Sequence, residues 1–284
     1  VGGRSVHVGY GAGQYVASGS QDVFIGYYAG QVAHLSADPS SSPNARLGLN
    51  VAIGYQAMMH GGTTNVAIGH EALAYQSGSN KCVAIGYAAM ESAARNITSV
   101  TAVGYAAGAA LPYGSYGGYQ TVIGHHAGRS AGEASVTVGY YAGYRIGHYT
   151  TAIGYDALSR GIGSSNTAVG NSALRGYPYT QGQETGNSTG VHNVAVGYQA
   201  GLAYNSASYN VFVGNEAGEY IDDGEYNVAL GYQAGQYATG SYNTFVGSNT
   251  GKGGTTSAPY SSGQFNTALG YKALTAFTTA TQIV

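Results

Sequence analysis

Along this chain the hydrophobic positions fall into a short pattern repeated fifteen times: an apolar or β-branched triplet, then glycine. The best-formed copies read NVAIGYQA from Asn50 and NVAVGYQA from Asn193. The anchoring glycines, among them Gly54, Gly69, Gly154, Gly197 and Gly231, are mostly 15 to 18 residues apart. A unit this short cannot close a core alone and must stack on its neighbours. The residue before the glycine is always Val, Ile or Leu, and the one two places earlier is always Val or Thr. Two restricted positions around a permissive one read as period-two alternation, so each copy predicts a short strand. On this reading the flanking positions, Ile53 and Val196 among them, form the core.

The glycine predicts a corner that needs positive φ or very close approach between coils. Three places later Ala stands in fourteen of the fifteen copies, which predicts a cramped interior position. The next residue is Gly or a large apolar residue such as Met58, Leu73 or Leu158, which suggests two ways of making the second corner. Two further columns run beside these. The residue after the glycine is Tyr in ten copies, and its rings should stack at the strand spacing of about 4.8 Å. Asn occupies the place four before the glycine in eight copies; it can form an amide ladder and also tolerates left-handed backbone. Both columns read first as structural, with an aromatic ligand-binding face as the functional alternative.

Four intervals are longer, 31–46, 109–119, 175–190 and 252–264, and they hold all five prolines. They follow every fourth copy and predict loops, where solenoids often carry recognition; packing between chains is the alternative. Tyr113, Tyr177, Tyr179 and Tyr260 lie beside prolines in three of them, presenting amphipathic rings suited to sugars, and are the candidate ligand-binding residues.

Composition favours a fibre over an enzyme. There are 48 glycines and 28 tyrosines, and only 8% of residues are charged. A net charge of −2 leaves no basic footprint for nucleic acid. No apolar run approaches the ~18 residues of a membrane helix, so no membrane insertion is expected. Cys82, the one cysteine, sits in the Asn column. The histidines are scattered, no catalytic constellation emerges, and neither an enzymatic role nor a cofactor is expected. Asp222, Asp223 and Glu225 close the one acidic concentration, a weak candidate for a calcium ion that reads better as a solvated turn. Asn96 and Asn187 match the glycosylation sequon.

These strings resemble the head repeats of YadA-like trimeric autotransporter adhesins, whose units centre on an Asn/Ser, Val, Ala, Ile, Gly run. They are similar, more closely, to the GYQAG arrays of phage tail-fibre proteins and large bacterial surface proteins. The repeat itself predicts an all-β, parallel β-solenoid of about fifteen coils, and the resemblance implies that it is left-handed, with three chains side by side. It also implies an extracellular, cell-surface or virion location and a structural, adhesive function, the partner being a cell-surface glycan or protein receptor. The longer units, the tyrosine column and the periodic loops depart from the adhesin pattern. A self-assembling extracellular filament subunit is the alternative, and a polysaccharide depolymerase a third. The chain itself reads as a segment of a longer fibre.

Overall fold

The computed structural model describes residues 4–14, 16, 21–31, 48–60, 62–75, 78–92, 97–111, 118–176, 188–254, 261–279 and 281–283. Tyr113, Tyr177, Tyr179, Tyr260, both sequon asparagines and all five prolines lie outside them. The chain forms two compact units, Val1–Val138 and Gly139–Val284. Each is a parallel β-solenoid, and no helix occurs among the described residues.

In the first unit β1 (Val6–Val8), β2 (Val23–Ile25), β3 (Val51–Ile53), β5 (Val66–Ile68), β7 (Val83–Ile85), β8 (Thr101–Val103), β9 (Thr121–Ile123) and β10 (Val136–Val138) pair in that order. Two shorter strands, β4 (Gly62–Thr63) and β6 (Ser79–Asn80), pair with each other on another side of the coil. The second unit pairs β11 (Thr151–Ile153), β12 (Thr167–Val169), β13 (Val194–Val196), β14 (Val211–Val213), β15 (Val228–Leu230), β16 (Thr244–Val246) and β17 (Thr267–Leu269). Register is set by the repeat: Val51 faces Val66 and Ile53 faces Ile68, just as Val194 faces Val211 and Val196 faces Val213.

The predicted alternation is present, but its phase is inverted. The permissive middle residue points into the coil: Phe24, Ala52, Ala67, Val122, Ala195 and Phe212 are buried. Ile53 is only half-buried and Val196 is 38% exposed, so neither is a core residue. The reason is that the strand centre fills the interior jointly with the corner residue six places on, so its size can vary when its partner compensates. Where Phe24, Phe212 or Phe245 stands at the centre, the corner is glycine; a Cβ on Gly30, Gly218 or Gly251 would lie 2.2–2.4 Å from those rings. Where the centre is Ala52, Ala67, Ala84, Ala152 or Ala168, the corner holds Met58, Leu73, Met90, Leu158 or Leu174, each fully buried. Three copies pair Ala with Gly, and there neighbours take up the space. A Cβ on Gly201, for example, would meet Leu174 at 2.8 Å and Phe212 at 2.9 Å.

Thus there is one second corner, filled in two ways. Its backbone is left-handed in both: φ is +53° at Met58, +55° at Leu73, +64° at Gly30 and +59° at Gly218. A bulky L-residue pays about 1–2 kcal/mol for that conformation. Burying a Met or Leu side chain contributes about 1.5–3 kcal/mol and offsets it. The cramped interior alanine is as predicted, with Ala57, Ala72, Ala89, Ala127, Ala157 and Ala200 completely buried.

The asparagine column forms the predicted ladder. In the second unit the Asn193, Asn210, Asn227, Asn243 and Asn266 backbone N–H groups donate to the side-chain oxygen of the preceding asparagine at 2.8–3.0 Å. The side-chain amide of each donates to the same oxygen at 3.1–3.2 Å. The left-handed residue is not the asparagine but the one before it: φ is +60° at Tyr209, +56° at Tyr226 and +61° at Tyr242. A buried polar ladder with every amide partnered fixes coil register as well as adding stability.

Tyr204 fills the interior of the second unit, and its hydroxyl has no partner among the described residues. A buried donor left unpaired costs about 1–3 kcal/mol. Tyr204→Phe is therefore expected to raise the melting temperature by the equivalent of about 1 kcal/mol. A lower melting temperature would mean that the hydroxyl makes a stabilising bond.

Candidate functional site

Because the strand centre points inward, the Val/Thr and Ile/Val/Leu positions of every strand face outward. Ile25, Ile85 and Ile123 in the first unit and Ile153, Val194, Val196 and Val213 in the second are all exposed. A regular row of exposed aliphatics is unusual, since isolated surface apolar residues are ordinary but contiguous patches mark interaction surfaces.

Beside this face runs the tyrosine column. In the first unit Tyr10, Tyr27, Tyr55, His70, Tyr87, Tyr105 and His125 stack one on the next, with centroids 4.7–5.4 Å apart and planes within 16° of parallel. His70 and His125 simply replace tyrosine rings, as their sequence positions imply. In the second unit Tyr140 stacks on Tyr155 at 5.1 Å. A second ladder there runs His192, Tyr209, Tyr226, Tyr242, Phe265 at 4.9–5.0 Å, built from the left-handed residues that precede the asparagines. These rings spend their faces on one another and present edges and hydroxyls outward.

The acidic stretch is used to stitch coils together. Asp223 accepts from the Ser206 hydroxyl at 2.6 Å and its backbone N–H at 3.2 Å, and the Glu225 N–H donates to the Ser241 hydroxyl. Burial raises the Asp222 carboxyl above its usual range, and Asp223 beside it adds to the shift. Glu216 and Glu219 bracket the side-chain amide of Gln236, which donates to both, while Gln233 also donates to Glu216. Burial pushes the Glu219 carboxyl up, and the Gln236 amide opposes it. Among the described residues no three His, Cys, Asp or Glu side chains gather as a metal site. Cys82 is buried within the ladder column, its thiol pushed up by burial, which is the setting of an inert cysteine.

Comparison with family models, with curated proteins and with solved structures returned no match. No helix among the described residues is long and apolar enough to cross a membrane.

The sequence-predicted glycines are all placed at one kind of corner. The candidate sugar-binding tyrosines lie outside the described residues. What sequence reasoning missed is a polar cleft on the side of the first unit that carries β4 and β6. The repeat itself hides it, because its residues lie between the apolar triplets where no motif recurs. The one available signal was that Thr64, Lys81, Ser99 and Tyr119 share a place in the repeat, directly before the Asn column.

Proposed function

We propose that this is a structural and adhesive fibre protein of the cell surface or virion, whose fifteen repeats each contribute a coil and whose chains associate side by side as a homotrimer. The carrying observation is the outward row of Val, Ile and Thr side chains along the strands. Every coil rises by the same strand spacing, so a second copy laid in register meets aliphatic with aliphatic at each coil. The face carries no charged residue in its strands, which suits a permanent, dry contact better than a transient one. The number three, the location and the presentation of a glycan-binding surface come from the resemblance to adhesin head repeats and tail-fibre arrays.

Sedimentation tests the association. The parent chain is expected at three times its 28.8 kDa mass. Val196→Lys combined with Val213→Lys should release single chains while the β-sheet signal persists, since both side chains are exposed in the single chain. Steady growth with concentration would favour the open filament. A parent that sediments as a single chain throughout would remove the basis for the proposal.

A further inference from the structure

We propose that the cleft lined by β4, β6, Thr98, Ser99 and Tyr119 of the first unit binds a carboxylated sugar, which deepens the adhesive reading above and rests on it. The cleft encloses about 360 Å³, at the low end of the range of about 300–1,000 Å³ usual for small-molecule sites.

Its floor is one row of residues on successive coils. Thr63 of β4 pairs with Asn80 of β6, Asn80 with Thr98, and Thr98 with Gly118. At Gly118 the row loses its side chain, and none could be added: a Cβ would lie 2.6 Å from the Thr98 carbonyl oxygen. The floor is therefore open beside the next residue, Tyr119, which stands 72% exposed.

The wall is the adjacent row, Lys81, Ser99 and Tyr119, all left-handed, with φ of +55°, +57° and +62°. Each is tied back to the floor of the previous coil, because the Lys81, Ser99 and Tyr119 N–H groups donate to the carbonyls of Thr63, Asn80 and Thr98 at 3.0–3.1 Å. The backbone holding these side chains is thus set before any ligand arrives, which lowers the ordering cost of binding.

The side chains match one ligand chemistry. The Thr64, Thr98 and Ser99 hydroxyls suit sugar hydroxyls, while the Thr63 hydroxyl donates to the Asn80 side-chain oxygen and the Asn80 amide to the Gly78 carbonyl; an exposed tyrosine ring offers its face to sugar C–H groups and its hydroxyl as a hydrogen-bonding group. Lys81 adds a compact positive charge with three donors, and no carboxylate pairs with it among the described residues. A single cation in a hydroxyl-lined cleft fits one carboxylate on a sugar ring and is too little charge for a nucleic-acid backbone.

The test measures binding of two carboxylated probes, an oligogalacturonate and a sialylated oligosaccharide, each beside its neutral methyl ester. The parent should prefer at least one acid over its ester. Lys81→Gln should weaken the acid by about tenfold or more and leave the ester unchanged. Tyr119→Asn should weaken both forms with no loss of thermal stability, because Asn accepts the left-handed backbone more readily than Tyr. Equal binding of acid and ester, or no binding of either probe, overturns the proposal. Sugar binding that neither substitution alters overturns the cleft while leaving the adhesive reading intact, and the sedimentation result stands apart from both.

Discussion

Gly197→Val is expected to be the most damaging single substitution in the molecule, costing about 4 kcal/mol or more. Gly197 has φ of +140°, and a Cβ there would lie 2.3 Å from the carbonyl oxygen of Gly214, the equivalent glycine of the next coil. Valine would thus pay for the conformation and for a backbone clash that no rotamer relieves. Either β13 and β14 separate, or the corner refolds. Gly270 provides the control: its φ is +113°, but an added Cβ meets nothing within 4 Å. Gly270→Val should therefore lower the melting temperature much less. Equal losses at the two sites would assign the whole effect to conformation, and an unchanged melt for Gly197→Val would refute the close approach itself.

Phe212→Ala should cost about 3–5 kcal/mol, the usual range for a fully buried Phe. The ring packs against the corner glycines of its own coil and the preceding one, since a Cβ on Gly218 would come within 2.4 Å of it and one on Gly201 within 2.9 Å. The void left by Ala has the shape of coils whose centre is already Ala. There Met58 or Leu158 occupies the equivalent corner at φ of +53° or +47°, and Gly218 has φ of +59°. Adding Gly218→Met to Phe212→Ala is expected to recover a large part of the loss, whereas Gly218→Met alone should destabilise. Denaturant melts of the two single variants and the double variant form the cycle. Strict additivity would show that strand centre and corner do not share one space. By contrast, Ile53→Ala is expected to cost the single chain under about 1 kcal/mol, because that side chain is not in the core.

Much of this molecule can be read from residues alone. The recurrence of Val-Ala-Ile-Gly at Val51 and Val66 dictates stacked parallel strands, because a copy of that length has no other way to bury its apolar side. Glycine at Gly54 and Gly69 foretells the corner, a small residue such as Ala57 in all copies but one foretells a cramped interior, and Asn193 and Asn210 foretell a ladder of amides. Each of these rests on one residue type meeting one local constraint. Which side of a three-residue strand faces inward rests on none. Alternation gives a period without a phase, and a triplet with two aliphatics outside and one alanine within invites the wrong choice. Only the closed coil decides it: the interior is too narrow for two Val or Ile side chains per strand but admits Ala with a distant Met, or Phe with a glycine. The same closure turns the aliphatic columns outward, creating the face proposed to join chains. The cleft, too, exists only because stacking sets Lys81 beside Ser99 and Tyr119, residues whose neighbourhood depends on coil register and shows in the sequence only as a shared place before the Asn column.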